Sequence, residues 1–162
     1  MFRQFSALLL PLGLFCFLVS CQRSSDLVVD PKARLKEYID RSFRITKPEE
    51  KAVLASYLTG EAKTRLENWS PDQFRDAFME SKRELLSLSI REVKVVSDTE
   101  VQVTYELVYN QGKKGVVDHT IQAKVTNRKM CQMVRGEQGR WYIADVRNIK
   151  ELIEFVDELS LP

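Results

Sequence analysis

The strongest constraint on the fold is a run of alternating residues in the second half of the chain. Large apolar residues occupy every second position from Val101 to Tyr109, and mostly polar residues lie between them. A period of two places the apolar side chains on one face of a β-strand. Because a single strand cannot bury that face, the chain must supply a sheet and a second layer that covers it.

Alternating segments on both sides supply the other strands. The predicted strands are 90–96, 101–109, 116–134 and 141–146. The loop at 110–115 contains two glycines, and the alternation blurs across 127–129, which indicates a β-bulge within the third strand. A final amphipathic segment, 149–159, predicts a short C-terminal helix.

The first half of the chain carries three signals for helix starts. Asp30 before Pro31 is typical of an N-cap followed by a first-turn proline. The segments TKPE at 46–49 and SPDQ at 70–73 have the spacing of a capping box. Gly60 is placed to end the second helix. Helices followed by a meander predict one α+β domain over 31–162, with the helices on one face of a curved antiparallel sheet of about four strands.

The segment GEQGRWYIADV at 136–146 adds a resemblance at the level of fold. Together with the order of the elements, it resembles the cone-shaped domains of the nuclear transport factor 2-like superfamily over about residues 31–147. The resemblance implies a cone with a pocket between helices and sheet. The superfamily includes isomerases, dehydratases and binding or assembly modules, so the resemblance does not select an activity.

The N-terminus has the layout of a signal peptide. Arg3 precedes an uncharged apolar run that is too short to span a bilayer comfortably, which takes about 20 residues. The run ends in Leu18-Val19-Ser20-Cys21, which resembles the lipobox of bacterial lipoproteins. The resemblance implies that residues 1–20 are removed and that the Cys21 sulfur is acylated. Cys16 is a poorer candidate because bulky Phe15 precedes it, where Cys21 follows a small serine.

Acylation would make the lipid bilayer the first partner of this protein. Two or more acyl chains hold a protein stably on a membrane without a spanning helix. Residues 21–30 would then be the lipidated cysteine and a short tether. The resemblance implies an exported protein with its domain in the periplasm, and Gln22 after the cysteine favours the outer membrane if the cell is Gram-negative.

The net charge and the number of cysteines limit the partners and the cross-links that the sequence predicts. The formal charge of +2 falls to +1 without residues 1–20, because Arg3 is their only charged residue. This balance predicts no nucleic-acid partner. Cys131 and Cys21 are the two cysteines left after that removal, and the Cys21 sulfur would carry lipid, so no disulfide framework is expected.

No motif after the signal peptide indicates catalysis, and the sequence predicts no cofactor and no metal site. His119 is the single histidine, and adjacent Asp118 would point to the opposite face of a regular strand, so the two do not form a dyad. His119 shares its parity with Ile121 and is expected to face inward or lie at the rim of the pocket. Cys131 is predicted to be a free, half-buried cysteine rather than a reactive thiol.

Aromatic side chains are the other candidates for a binding site. A sheet covered by helices commonly leaves a cavity, although core packing also accounts for aromatic residues. The predicted pocket residues are Tyr57, Phe74, Phe78, Tyr105, His119 and Trp141. The favoured function is a non-catalytic envelope lipoprotein that binds or assembles with another envelope protein. The alternatives are a protein that binds a small apolar ligand and an isomerase or hydratase that uses a carboxylate in the cone.

Overall fold

The computed structural model describes residues 30–80, 82–112 and 121–155, including the side chains of all of these except 121 and 122. The helices come first in the chain and the strands follow. They are α1 (Pro31–Phe43), a 3-10 turn (Pro48–Glu50), α2 (Lys51–Ala55), α3 (Gly60–Glu67), α4 (Pro71–Phe78), β1 (Arg83–Ser97), β2 (Glu100–Gly112), β3 (Ile121–Arg135) and β4 (Trp141–Phe155). The α+β class predicted from the sequence is confirmed.

Local hydrogen bonds explain where the helices start. The Asp30 carboxylate accepts the N–H of Lys32 at the start of α1, with Pro31 at the first helical position. Ser70 and Gln73 form the predicted capping box of α4, where the serine hydroxyl accepts one backbone N–H and the glutamine side chain accepts another.

The predicted cap at 46–49 is wrong in detail. The carboxylate of Glu50, not Glu49, accepts the backbone N–H groups of Thr46 and Lys47. Gly60 does not end a helix but begins α3, with a φ of 53° that favours glycine.

The four strands pair in sequence order as one antiparallel meander. The two central strands stay in continuous register from the Glu100–Val134 pair to the Gln111–Ala123 pair. The irregularities lie mainly in the outer strands. Each register shift between β1 and β2 leaves an extra residue in β1, and Ala144 and Ile149 are the corresponding extra residues of β4.

Two sequence expectations about the last strands are wrong. Alternation across 127–129 is not interrupted within β3, because the extra residue opposite this position, Ile149, belongs to β4. Residues 149–155 are not helical but continue β4, where they pair with β3. Backbone hydrogen bonds to β3 satisfy the N–H and C=O groups of this segment. The spacing of its apolar residues also fits a helix, so the spacing alone does not distinguish the two structures.

The core lies between the helices and the inner face of the sheet, which is the face that carries Val101, Val103, Tyr105 and Leu107. Leu35, Leu54 and Phe74 come from α1, α2 and α4 and are fully buried there. The bond from the Thr59 N–H to the Ile143 carbonyl and the bond from the Ile143 N–H to the Tyr57 carbonyl attach the helical layer to β4. No helix in the described part of the chain is long and apolar enough to cross a membrane.

Candidate ligand-binding site

A cavity of about 540 Å³ separates α1 and α4 from the inner face of the sheet. Tyr38 and Phe43 of α1 and Phe78 of α4 form its helical side, and Tyr105 and Tyr109 of β2 lie on its sheet side. A smaller space of about 130 Å³ shares Tyr38, Phe78 and other lining residues with it. Pockets for small molecules typically measure about 300–1,000 Å³, so the cavity is large enough for a ligand.

The aromatic side chains on the helical side support one another. The rings of Trp69 and Phe78 lie with centroids 5.9 Å apart, and Phe78 packs on Phe74 at 4.9 Å. Phe43, also on the helical side, makes an edge contact with Tyr109 of the sheet side, with ring centroids 5.4 Å apart. Pairs at these distances are favourable arrangements of aromatic rings, so the walls are built of packed side chains.

Three basic residues also line the cavity, and they differ in their partners. The Arg65 guanidinium donates to the Asp145 carboxylate over 2.8 Å, and Arg147 bonds the same carboxylate. Neither Arg83 nor Lys129 forms an ion pair with any residue that the structure describes. Arg65 therefore has an ion-pair partner, whereas Arg83 and Lys129 have none among the described residues.

Arg83 is the first residue of β1, and its guanidinium lies between two phenyl rings. The Cζ atom is 5.1 Å from the centroid of Phe43 and 5.3 Å from that of Phe78. Rings at this distance attract a cation through their negative faces. Burial lowers the pKa of Arg83, and its buried Nη2 has no hydrogen-bond acceptor among the described residues.

Lys129 projects from the inner face of β3, directly across from Tyr105 in β2. Burial is the main cause that lowers the pKa of this amine, and the charge of Arg83 lowers it further. Glu151, on β4, opposes the shift. The two unpaired cations are thus close enough to destabilise each other's charge.

The tyrosines of the cavity keep their protons. Burial raises the pKa of Tyr38 to about 12 and also raises those of Tyr105 and Tyr109. The side chain of Asn127 opposes part of the rise in the pKa of Tyr109, and its own buried Oδ1 has no hydrogen-bond partner in the described part of the molecule. Neutral hydroxyl groups can donate hydrogen bonds to an incoming acceptor.

Of the five predicted pocket residues that the structure describes, two, Phe78 and Tyr105, line the cavity. Phe74 and Trp141 are core residues with 0% and 6% exposure. Tyr57 is also wrong as a lining residue of this cavity, because it packs against Tyr38 and under the guanidinium of Arg34, 3.9 Å from its ring centroid. These rings fill the space between layers, so their burial supports packing instead of contact with a ligand.

The remaining candidates from the sequence are Cys21, His119 and Cys131. Cys21 and His119 lie outside the described residues. Cys131 is fully buried, not half-buried, and burial raises the pKa of its thiol to about 12. A thiol with this pKa is almost entirely protonated at neutral pH, so it is a poor nucleophile.

Sequence reasoning missed Arg83 and Lys129. Lys129 has the same parity as Val125 and Cys131, so continuing the alternation through 127–129 would have predicted that it faces inward. Because Lys129 is charged, its inward position makes the alternation across 127–129 look interrupted in the sequence. Arg83 had no comparable signal, because its place in the cavity depends on how α1 and α4 pack on the sheet.

Comparisons with known proteins extend the description of the fold only. No family model and no curated protein matches the chain. Among solved structures, the chain is similar to the crystal structure of the intermembrane space region of the chloroplast protein ARC6. The TM-score is 0.55 at 15% sequence identity, and the match covers 72% of this chain and 92% of that chain. The likeness shows a shared arrangement of helices and strands.

Proposed function

We propose that this chain is a lipid-anchored, non-catalytic binding protein of the bacterial cell envelope, and that the cavity between α1, α4 and the sheet takes a small ligand. The observation that carries the proposal is the cavity itself, about 540 Å³ in volume with aromatic side chains on both sides. A partly apolar cavity with a few polar groups is the usual form of a small-molecule site. The cone architecture of the nuclear transport factor 2-like superfamily would be consistent with such a site.

The lipid anchor would determine how far from the membrane the cavity lies. The ten residues 21–30 span at most about 35 Å when fully extended, so the domain would stay near the bilayer to which Cys21 is attached. A Cys21→Ala variant should lose acyl labelling and leave the membrane fraction. Retained label in this variant would contradict the assignment of Cys21 and direct attention to Cys16.

Binding is favoured over isomerase or hydratase chemistry by the groups that line the cavity. General acid–base catalysis needs a group with a pKa near the working pH. No carboxylate or imidazole lies among the described lining residues, and the tyrosines have raised pKa values. The remaining polar groups are suited to holding a ligand by charge and hydrogen bonds.

The direct test is to fill the cavity. Ala77 lines it from α4, and an Ala77→Trp variant should exclude the ligand. The matched control is Ala33→Trp, on the exposed surface of α1. Full-length protein purified from native membranes would be extracted, and the extracts compared by mass spectrometry. A small molecule recovered from wild type and the control, but absent from Ala77→Trp, would support the proposal, whereas the same extract from all three would contradict it.

A protein-binding or assembly role is the second candidate, because β4 exposes apolar side chains near its end. Ile153 and Phe155 are 46% and 70% exposed, and they share a face of β4 because they pair with Val125 and Ala123 of β3. Exposed apolar side chains that cluster are typical of interaction surfaces. Recovery of a stoichiometric membrane protein with wild type, but not with an Ile153→Ser, Phe155→Ser double variant, would support this role. Equal recovery with both would count against this surface.

A further inference from the structure

The unpaired charges of the cavity identify what kind of ligand it would take. Arg83 and Lys129 have no ion-pair partner in the described residues, and both line the same space. Arg65 differs from them, because its guanidinium bonds the carboxylate of Asp145, which it shares with Arg147. Isolated cations away from bulk water are unfavourable unless an anion pairs with them.

Arg83 shows the clearest need for an acceptor. Its guanidinium is held between Phe43 and Phe78, which fix its position but offer no oxygen. The buried Nη2 therefore keeps N–H groups without a partner in the described structure. Leaving a buried donor unsatisfied costs more free energy than an ordinary hydrogen bond returns. A ligand oxygen that accepted from this guanidinium would remove that cost.

The charges of the lining set the sign of the ligand's charge. Arg83 and Lys129 have no ion-pair partner among the described residues, and no carboxylate lies among the described lining residues. Tyr38, Tyr105 and Tyr109 are neutral. A negative charge on the ligand would therefore complement the two cations.

We propose that the ligand is an organic anion, most simply a carboxylate on an apolar or aromatic body, with its charge between Arg83 and Lys129. The body would lie against Phe43, Phe78 and Trp69. This inference rests on the proposed binding function of the same cavity. The tyrosine hydroxyls supply further donors, and the planar guanidinium matches a carboxylate through paired hydrogen bonds.

Isothermal titration calorimetry with three related probes would test the inference. The probes are 2-naphthoate, neutral 2-naphthamide and 2-naphthyl phosphate, titrated at pH 8 into the full-length protein in nanodiscs, with empty nanodiscs as the blank. The naphthoate should bind at least about tenfold more tightly than the amide, because a hydrogen bond to a charged group contributes more than a neutral one. The phosphate, which is also an anion, should likewise bind more tightly than the amide.

Substitution of each cation tests whether Arg83 and Lys129 cause the preference for naphthoate over naphthamide. Arg83→Gln should weaken naphthoate binding about 10- to 100-fold and leave naphthamide binding within about twofold. Lys129→Gln should act in the same direction, and it carries the test if Arg83→Gln does not fold. Arg140→Gln is the control, because Arg140 is exposed in the turn between β3 and β4.

The outcomes separate the inference from the function on which it rests. Equal affinity for naphthoate and naphthamide, or an unchanged preference in both variants, would overturn the anion site and leave a binding cavity. Phosphate binding no tighter than amide binding would also count against the anion site, because both charged probes should bind more tightly than the neutral one. If none of the three probes binds, while Ala77→Trp yields the same membrane extract as wild type, both the inference and the proposed function fail.

Discussion

Replacing Phe74 with alanine tests whether this residue belongs to the core or to the cavity. Phe74 is fully buried and is the one wholly buried residue of α4. Removing a buried phenylalanine ring typically costs about 3–5 kcal/mol of unfolding free energy, since apolar contact is lost and a hole remains. The ring packs on Phe78 with a centroid distance of 4.9 Å, so that pair interaction is lost as well.

We expect Phe74→Ala to lower the free energy of unfolding by about 3–4 kcal/mol, in the lower part of this range because α4 is short and can move toward the hole. Urea denaturation of the full-length protein in nanodiscs, followed by tryptophan fluorescence, would measure the change. Trp69 reports directly on α4, because its ring packs on Phe78.

Phe74→Leu is the matched control, because it keeps most of the apolar volume and should cost less than about 1.5 kcal/mol. A loss below about 1 kcal/mol for Phe74→Ala would refute the reasoning. It would mean that the ring lines open space, as the sequence had predicted, and does not support the helical layer.

Three further predictions concern the cap of α4, the buried thiol of Cys131 and the hydrogen bonds of Glu106. Ser70→Ala removes the hydroxyl that caps α4 and should cost about 1 kcal/mol in urea denaturation, whereas Ser70→Asp should retain most of the stability. Cys131 should resist alkylation in the folded protein at pH 8 and react only on unfolding, since its pKa is about 12; rapid labelling of native protein would contradict this burial. Hydrogen bonds from Arg91 and Arg128 hold the pKa of Glu106 below its ordinary value, so its contribution to stability should be present at neutral pH and decline as the pH falls through the folded-state pKa. Glu106→Gln should reduce this acid dependence in denaturation curves, and an unchanged dependence would count against the network.

Much of the fold follows from features that act over a few residues. The Ser70 capping box and the Asp30 cap are local hydrogen bonds, so sequence spacing alone predicts them. The alternation from Val101 to Tyr109 likewise specified a strand and its buried face. These patterns were enough to predict the α+β class and the order of its layers.

The candidate site was less predictable because its chemistry departs from the pattern that marks the core. Lys129 occupies an inward position on a regular strand, but its charge made the alternation look interrupted. Aromatic residues were the visible candidates, yet burial cannot be ranked from residue type, and Phe74 and Trp141 proved to fill the core.

The sequence by itself determined the helix starts, the alternating strands and the outline of an α+β domain, because these depend on neighbouring residues. Tertiary structure decided that 149–155 extend β4, since their backbone bonds come from β3, a distant part of the chain. It also decided that Arg83 and Lys129 line one cavity, where burial lowers the pKa of both and neither has an ion-pair partner among the described residues. Such proximity arises from packing between layers, which no local spacing encodes.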